Sequence, residues 1–184
     1  MARQHAHQSI NKRGRAAEAN HRDVDAAVRQ HVLALLDGGM AHATFDQGIA
    51  DFPAELRGRK PEIGEELAPY TAWQLLEHMR IAQWDILAFS RNPKHISPEW
   101  PSGYWPHSSN PPDPRSWTKS VESFRSDLQA MKGLVSDPAI DLYAPISHGD
   151  GQTILREALL VADHNAYHLG QLVLLRKLLG TWKG

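Results

Sequence analysis

Trp117, Val121, Phe124, Leu128, Met131 and Val135 recur at spacings of 4, 3, 4, 3 and 4. An apolar stripe of that period runs along one side of an α-helix and must be buried against partner helices. The rest of the chain offers such partners. Val24, Val28, Val32, Leu35, Leu36, Phe45 and Ile49 form a looser helical stripe from about Asp23 to Ala50. Gly38 and Gly39 interrupt it, which gives either two helices or one kinked helix. A second helix starts at Thr71 and Gln74, whose side chains suit a capping box, and stops at Asn92–Pro93. Trp73, Leu76, Ile81, Trp84, Leu87 and Ala88 supply its apolar bulk. The Trp117–Val135 helix follows Asp113–Pro114, a suitable N-cap and first-turn pair. The fourth helix runs from about Thr153 to Leu179 and ends at Gly180. No alternating strand pattern competes, so the expected fold is all-α, an antiparallel four-helix bundle.

One segment does not belong to any helix. Between Pro93 and Pro114 there are seven prolines in 22 residues, with Trp100, Tyr104 and Trp105 among them. Proline at that density excludes helix and most strand. Polar tethers seldom carry three large aromatics, so the long loop between the second and third helices is expected to be ordered and packed over the bundle. It suits a lid over a site and a hydrophobic patch for a partner equally well.

The polar and basic stretch 1–20 is expected to be a disordered arm or a cloning remnant, with 21–184 as the folded domain, and His5 and His7 are set aside with the arm. No run of apolar residues is long enough for a membrane span or a secretory signal, so a soluble cytoplasmic protein is the expectation. The formal net charge of -1 offers no excess of positive charge for nucleic acid or anionic lipid.

The chain has 11 histidines and no cysteine. Disulfides, thiolate-bound zinc, iron–sulfur clusters and a cysteine nucleophile are therefore excluded, and any metal must be held by nitrogen or oxygen. In D-H-N-A-Y-H-L-G-Q, Asp163 to Gln171, the imidazoles of His164 and His168 lie four residues apart on one helical face. That face also carries Glu157, Leu160, Val161, Gln171 and Leu175 and points inward. Two buried imidazoles without partners would be costly, whereas a metal ion or hydrogen-bonding carboxylates remove the cost. His78 lies mid-helix on a similarly apolar face, and facing helices can bring it opposite the pair. The zincin motif needs a Glu where Asn165 stands. Di-iron bundles need paired Glu-x-x-His motifs, but Arg80 follows Glu77 and Leu160 follows Glu157 at that spacing. A mononuclear three-histidine site is what these residues allow.

His78 together with H-N-A-Y-H resembles the metal-binding triad of the DinB/YfiT-like superfamily. The resemblance extends over Ala72 to Leu87 and Asp150 to Arg176, and more weakly over Ala41 to Pro53. It implies a four-helix bundle, one divalent ion held by His78, His164 and His168, and a homodimer. Nickel or zinc is the expected ion; cobalt, manganese and iron also suit three imidazoles. Relatives include metal-dependent hydrolases and transferases or isomerases that use a low-molecular-weight thiol, so a small-molecule substrate is expected.

Gln74, Asp85, Asp163 and Gln171 are candidates to orient the ligand imidazoles, with solvent exposure as the alternative for each. His42 and Asp46, four apart, either line the pocket or lie on the surface. His148 either reaches the open side of the ion or serves its own turn. His31, His95 and His107 are given no role. The absence of an obvious general base beside the ligands keeps a second reading open, a non-catalytic metal-stabilised bundle or dimeric binding module.

Overall fold

A computed structural model describes residues 22–183. The expected arm, 1–20, lies outside the described residues. Five α-helices occur among them: α1 (residues 22–37), α2 (Phe45–Ile49), α3 (Ala72–Arg91), α4 (Ser116–Ser136) and α5 (Ile154–Leu178). A two-stranded antiparallel hairpin pairs β1 (Glu62–Ile63) with β2 (Glu66–Leu67). The described chain is thus essentially all-α. None of its helices is long and apolar enough to cross a membrane.

The helix ends follow local chemistry. Thr71 accepts from the Gln74 N–H while the Gln74 side chain accepts from the Thr71 N–H, so the expected capping box is present on α3. Thr153 accepts from the Arg156 N–H and caps α5. At the other end of α5 Gly180 adopts φ 70°, and Thr181 N–H reaches the Arg176 carbonyl at 2.9 Å, closing a Schellman motif. The first apolar stripe is two helices. Gly38 and Gly39 both take left-handed conformations, φ 69° and 78°, which turn the chain out of α1 before a Thr44/Gln47 capping box starts α2. The start of α4 lies later than its sequence suggests. Asp113 accepts from the Arg115 N–H and the Ser116 hydroxyl, holding Pro114 and Arg115 in a turn ahead of the helix.

Two apolar clusters set the directions of the helices. One gathers Trp73, Leu76 and Met79 from the start of α3, Trp117, Val121 and Phe124 from the start of α4, and Leu169, Leu172 and Leu175 from the end of α5. The other gathers Leu87, Met131 and Val135 from the far ends of α3 and α4, Ile154, Ala158 and Val161 from the start of α5, and Val32 and Leu36 from α1. α3 and α4 therefore run in the same direction, and α5 runs against both. Val24 and Leu35 do not join the core; the buried side of α1 is the Val32–Leu36 side, and the other two face solvent. Trp84 likewise stands 40% exposed on α3.

Parallel neighbours of this length need a return segment of about 30 Å, the rise of a 20-residue helix. Residues 92–115 provide it by descending along α3. His95 bonds Asp85, Tyr104 bonds Asp85 and His78, and the Ser109 carbonyl accepts from Thr71, so rising loop numbers meet falling helix numbers. Extended proline-rich chain suits such a strap.

Arg29 joins α1 to the far end of α4. Its guanidinium donates to the carbonyls of Val135, Asp137 and Ile140 at 2.8, 2.9 and 2.7 Å, and to Asp25 at 2.7 Å. The Val135 and Asp137 carbonyls lie at the C-terminus of α4, where a positive charge is favoured. Arg29→Ala should lower the unfolding free energy by about 2–4 kcal/mol through the stranded acceptors. Urea unfolding measures this, and a loss below about 0.5 kcal/mol, the scale of an ordinary surface change, would remove the assigned role.

Candidate metal centre

α3 brings His78 to its buried side between Leu75 and Ala82, 3% exposed. On α5 the four-residue spacing of His164 and His168 stacks both rings toward it. The Nε2 atom of His78 lies 3.1 Å from Nε2 of His168 and 3.1 Å from Nε2 of His164. The three form a group whose ligand atoms all lie within 4.8 Å of one another and could hold a metal ion.

The outer ring nitrogens decide what converges. Nδ1 of His78 faces the main-chain carbonyl of Tyr104 at 2.9 Å, an acceptor only, so this nitrogen carries the hydrogen. Nδ1 of His168 faces Oε1 of Gln171 at 2.8 Å and is oriented in the same way. The Nε2 atoms of both rings then present lone pairs to each other rather than a donor to an acceptor. One His78 lone pair cannot serve two neighbours at 3.1 Å. A cation between them resolves the repulsion, and nitrogens sharing an ion at about 2.1 Å are separated by roughly 3.0–3.4 Å. The donor set therefore fits a divalent ion.

Burial keeps the rings neutral. It is the largest influence on all three and lowers each pKa from the ordinary histidine value. The effect on His164 is greatest: burial first, then the charges of His168 and His78, bring it down to about 4. Neutral imidazoles are the form that binds metals.

The strap holds His78 from outside. The Trp105 ring stacks on the His78 ring at 3.8 Å and 3°, and Tyr70 stacks on Trp105 at 4.2 Å. The Tyr104 hydroxyl donates to Asp85 at 2.6 Å. Its burial, with the Asp85 carboxylate beside it, pushes its pKa up to about 12, which keeps it a donor.

Of the residues expected to orient the ligands, Gln171 alone bonds a ligand ring. Gln74 is occupied with the Thr71 cap, because it stands at the third position of α3. Asp85 acts one step removed: it anchors Tyr104 and His95, and Tyr104 in turn meets His78. Asp163 faces solvent, one residue round the helix from the triad. His42 is exposed too, and with Asp163 it borders a different cavity of about 450 Å³ between α1, α4 and α5, which no triad histidine lines. Asp46 pairs with Arg125 on the surface. His148 bonds the Phe89 carbonyl at 2.7 Å.

His95 has a partner that spacing does not announce, Asp85 at 2.6 Å. Tyr104, Trp105, Gln83 and Asn165 were also absent from the expected set. The aromatics in the proline-rich segment were the signal for the first two. No local pattern identifies the Gln83–Asn165 pair, since it joins separate helices. Comparison with protein-family models, with curated proteins and with solved structures gives no match.

Metal-free chain should lose stability on acidification. The folded-state histidine pKa values lie below the ordinary 6.5, so the unfolded chain takes up protons first as pH falls. The contribution is complete above pH 6.5 and is lost between there and about 4, where folded His164 is protonated. Thermal melts across that range should show a falling midpoint, with a shallower slope in His164→Gln. An equal slope in that variant would contradict the assignment.

Proposed function

We propose that this chain is a DinB/YfiT-like metal-dependent protein, a four-helix bundle with α3 and α4 parallel rather than antiparallel as the sequence suggests, whose single divalent ion is held by His78, His164 and His168. The observation that carries the reading is the convergence of three Nε2 atoms, two of them with the opposite ring nitrogen tied to an acceptor. The proposed activity is that of a hydrolase or thiol transferase on a small molecule. Three neutral ligands leave a bound divalent ion its full charge, which supplies Lewis acidity toward a carbonyl, a water or a thiol.

The chain's own residues define the rest. Without cysteine, any sulfur chemistry must use a thiol that arrives with the substrate. Tyr104 and Gln171 hold two imidazoles in the ligating tautomer, and the Trp105 ring shields one face of His78 from water. Nickel or zinc and assembly as a homodimer are part of the proposal through the resemblance.

A second reading has its own support. Among the described residues the metal-holding group contains only histidines, and Asp85, the carboxylate nearest in the bonding scheme, is occupied by Tyr104 and His95. With no carboxylate in place as a general base, the ion would serve to stabilise the bundle.

Elemental analysis of untagged protein should give about one metal per chain, and His168→Ala should abolish it. Chelation should lower the melting temperature of the wild type and leave that variant unchanged. Stoichiometric metal retained by His168→Ala would sink the triad. Turnover of thiol or ester substrates that depends on the metal separates the enzyme from the stabilised bundle.

A further inference from the structure

Two buried polar atoms without a hydrogen-bond partner sit on consecutive residues, Nδ1 of His164 and Oδ1 of Asn165. Leaving both unmade costs free energy, so each calls for an explanation.

The orientation of Asn165 follows from a series of bonds in which every partner has one role. The Phe124 main-chain carbonyl can only accept. Gln83, fully buried, therefore turns its Nε2 toward it at 2.7 Å. That leaves Gln83 Oε1 as an acceptor, and Asn165 must present Nδ2 to it, at 2.8 Å. Asn165 Oδ1 is then a free acceptor whose direction is set by α3 and α4 rather than by an arbitrary choice of amide rotamer.

His164 lacks what the other two histidines have. His78 places its Nδ1 hydrogen on the Tyr104 carbonyl, and His168 places its own on Gln171. If Nε2 of His164 offers its lone pair to the cluster, Nδ1 carries a hydrogen that needs an acceptor.

We propose that Asn165 is a positioning residue of the metal centre, its Oδ1 accepting the Nδ1 hydrogen of His164 so that the Phe124–Gln83–Asn165 series orients the third ligand. This rests on the metal reading above and extends it. It also gives a reason for asparagine, instead of a general base, between the two histidines of the motif. In this structure the two atoms are not bonded to each other, so the bond forms by an adjustment of the side chains.

The test uses full-length chain labelled with 15N-histidine, in the metal-free state and in a Co2+ titration. In wild type, His164 should carry its hydrogen on Nδ1. Asn165→Ala should mix the His164 tautomers and weaken Co2+ binding by about 10–100-fold, without changing its stoichiometry. Asn165→Asp keeps the acceptor and loses the donor to Gln83. It should therefore melt at a lower temperature yet retain the Nδ1–H tautomer and near-wild-type Co2+ affinity, a split that a merely structural role would not produce. A wild-type hydrogen on Nε2 overturns the proposal. An Ala variant with wild-type tautomer and affinity does so as well. Where Asn165→Ala does not fold, Asn165→Asp decides, and loss of its Nδ1–H tautomer counts against the proposal. Failure of wild type to bind Co2+ would remove the metal reading, while the tautomer in metal-free chain would still decide the role of Asn165.

Discussion

The parallel alignment of α3 and α4 governs much of the molecule. Two helices that run the same way cannot be joined by a tight turn, so the chain must travel back along their length. Residues 92–115 do so on the surface of α3, and the way they are fastened there shapes the histidine cluster. One residue of the strap, Tyr104, makes both critical bonds: its hydroxyl reaches Asp85 and its carbonyl accepts from His78. A constraint on helix direction thus becomes a constraint on which nitrogen of His78 carries the proton. The next residue, Trp105, adds a parallel ring against the same imidazole.

A second consequence concerns the interior. In the layer around the triad, Gln83 and Asn165 are bonded across helices, Gln83 to the Phe124 carbonyl and Asn165 to Gln83. Buried amides in such a layer act in a medium of low dielectric, where a correct partner strengthens orientation and a missing one is costly. Three imidazoles in this layer stay neutral for the same reason. The medium that penalises their protonated forms leaves them in the neutral form that could bind a metal ion.

Much of the fold was legible because local chemistry sets helix ends and faces. The Thr71/Gln74 box, the glycines after α1, the Trp117–Val135 stripe and Gly180 all express interactions within a few residues of chain. The triad was legible in part: the four-residue spacing of His164 and His168 places them together on any helix. His78 joins them in the sequence only through a similarly apolar face and the family resemblance. The orienting groups are less legible. Gln171 lies one turn from His168 and is legible at that spacing, whereas Gln74 is drawn into a cap and Asp163 lies on the solvent side of α5. His95 carries no local signal of a role, because its partner, Asp85, becomes a neighbour only when the strap folds back.

Sequence alone determined where most of the helices lie, the apolar stripe of Trp117–Val135, the exclusion of cysteine chemistry and the i, i+4 histidine pair, because each depends on residue type and short-range periodicity. Tertiary structure decided the direction of α4 relative to α3, the course of the proline-rich strap, the 3.1 Å approach of His78 to the pair and the ring nitrogens that bear hydrogen. These depend on acceptors, such as the Tyr104 carbonyl, that every residue possesses and that no residue type advertises. Only packing chooses which of them a buried imidazole meets.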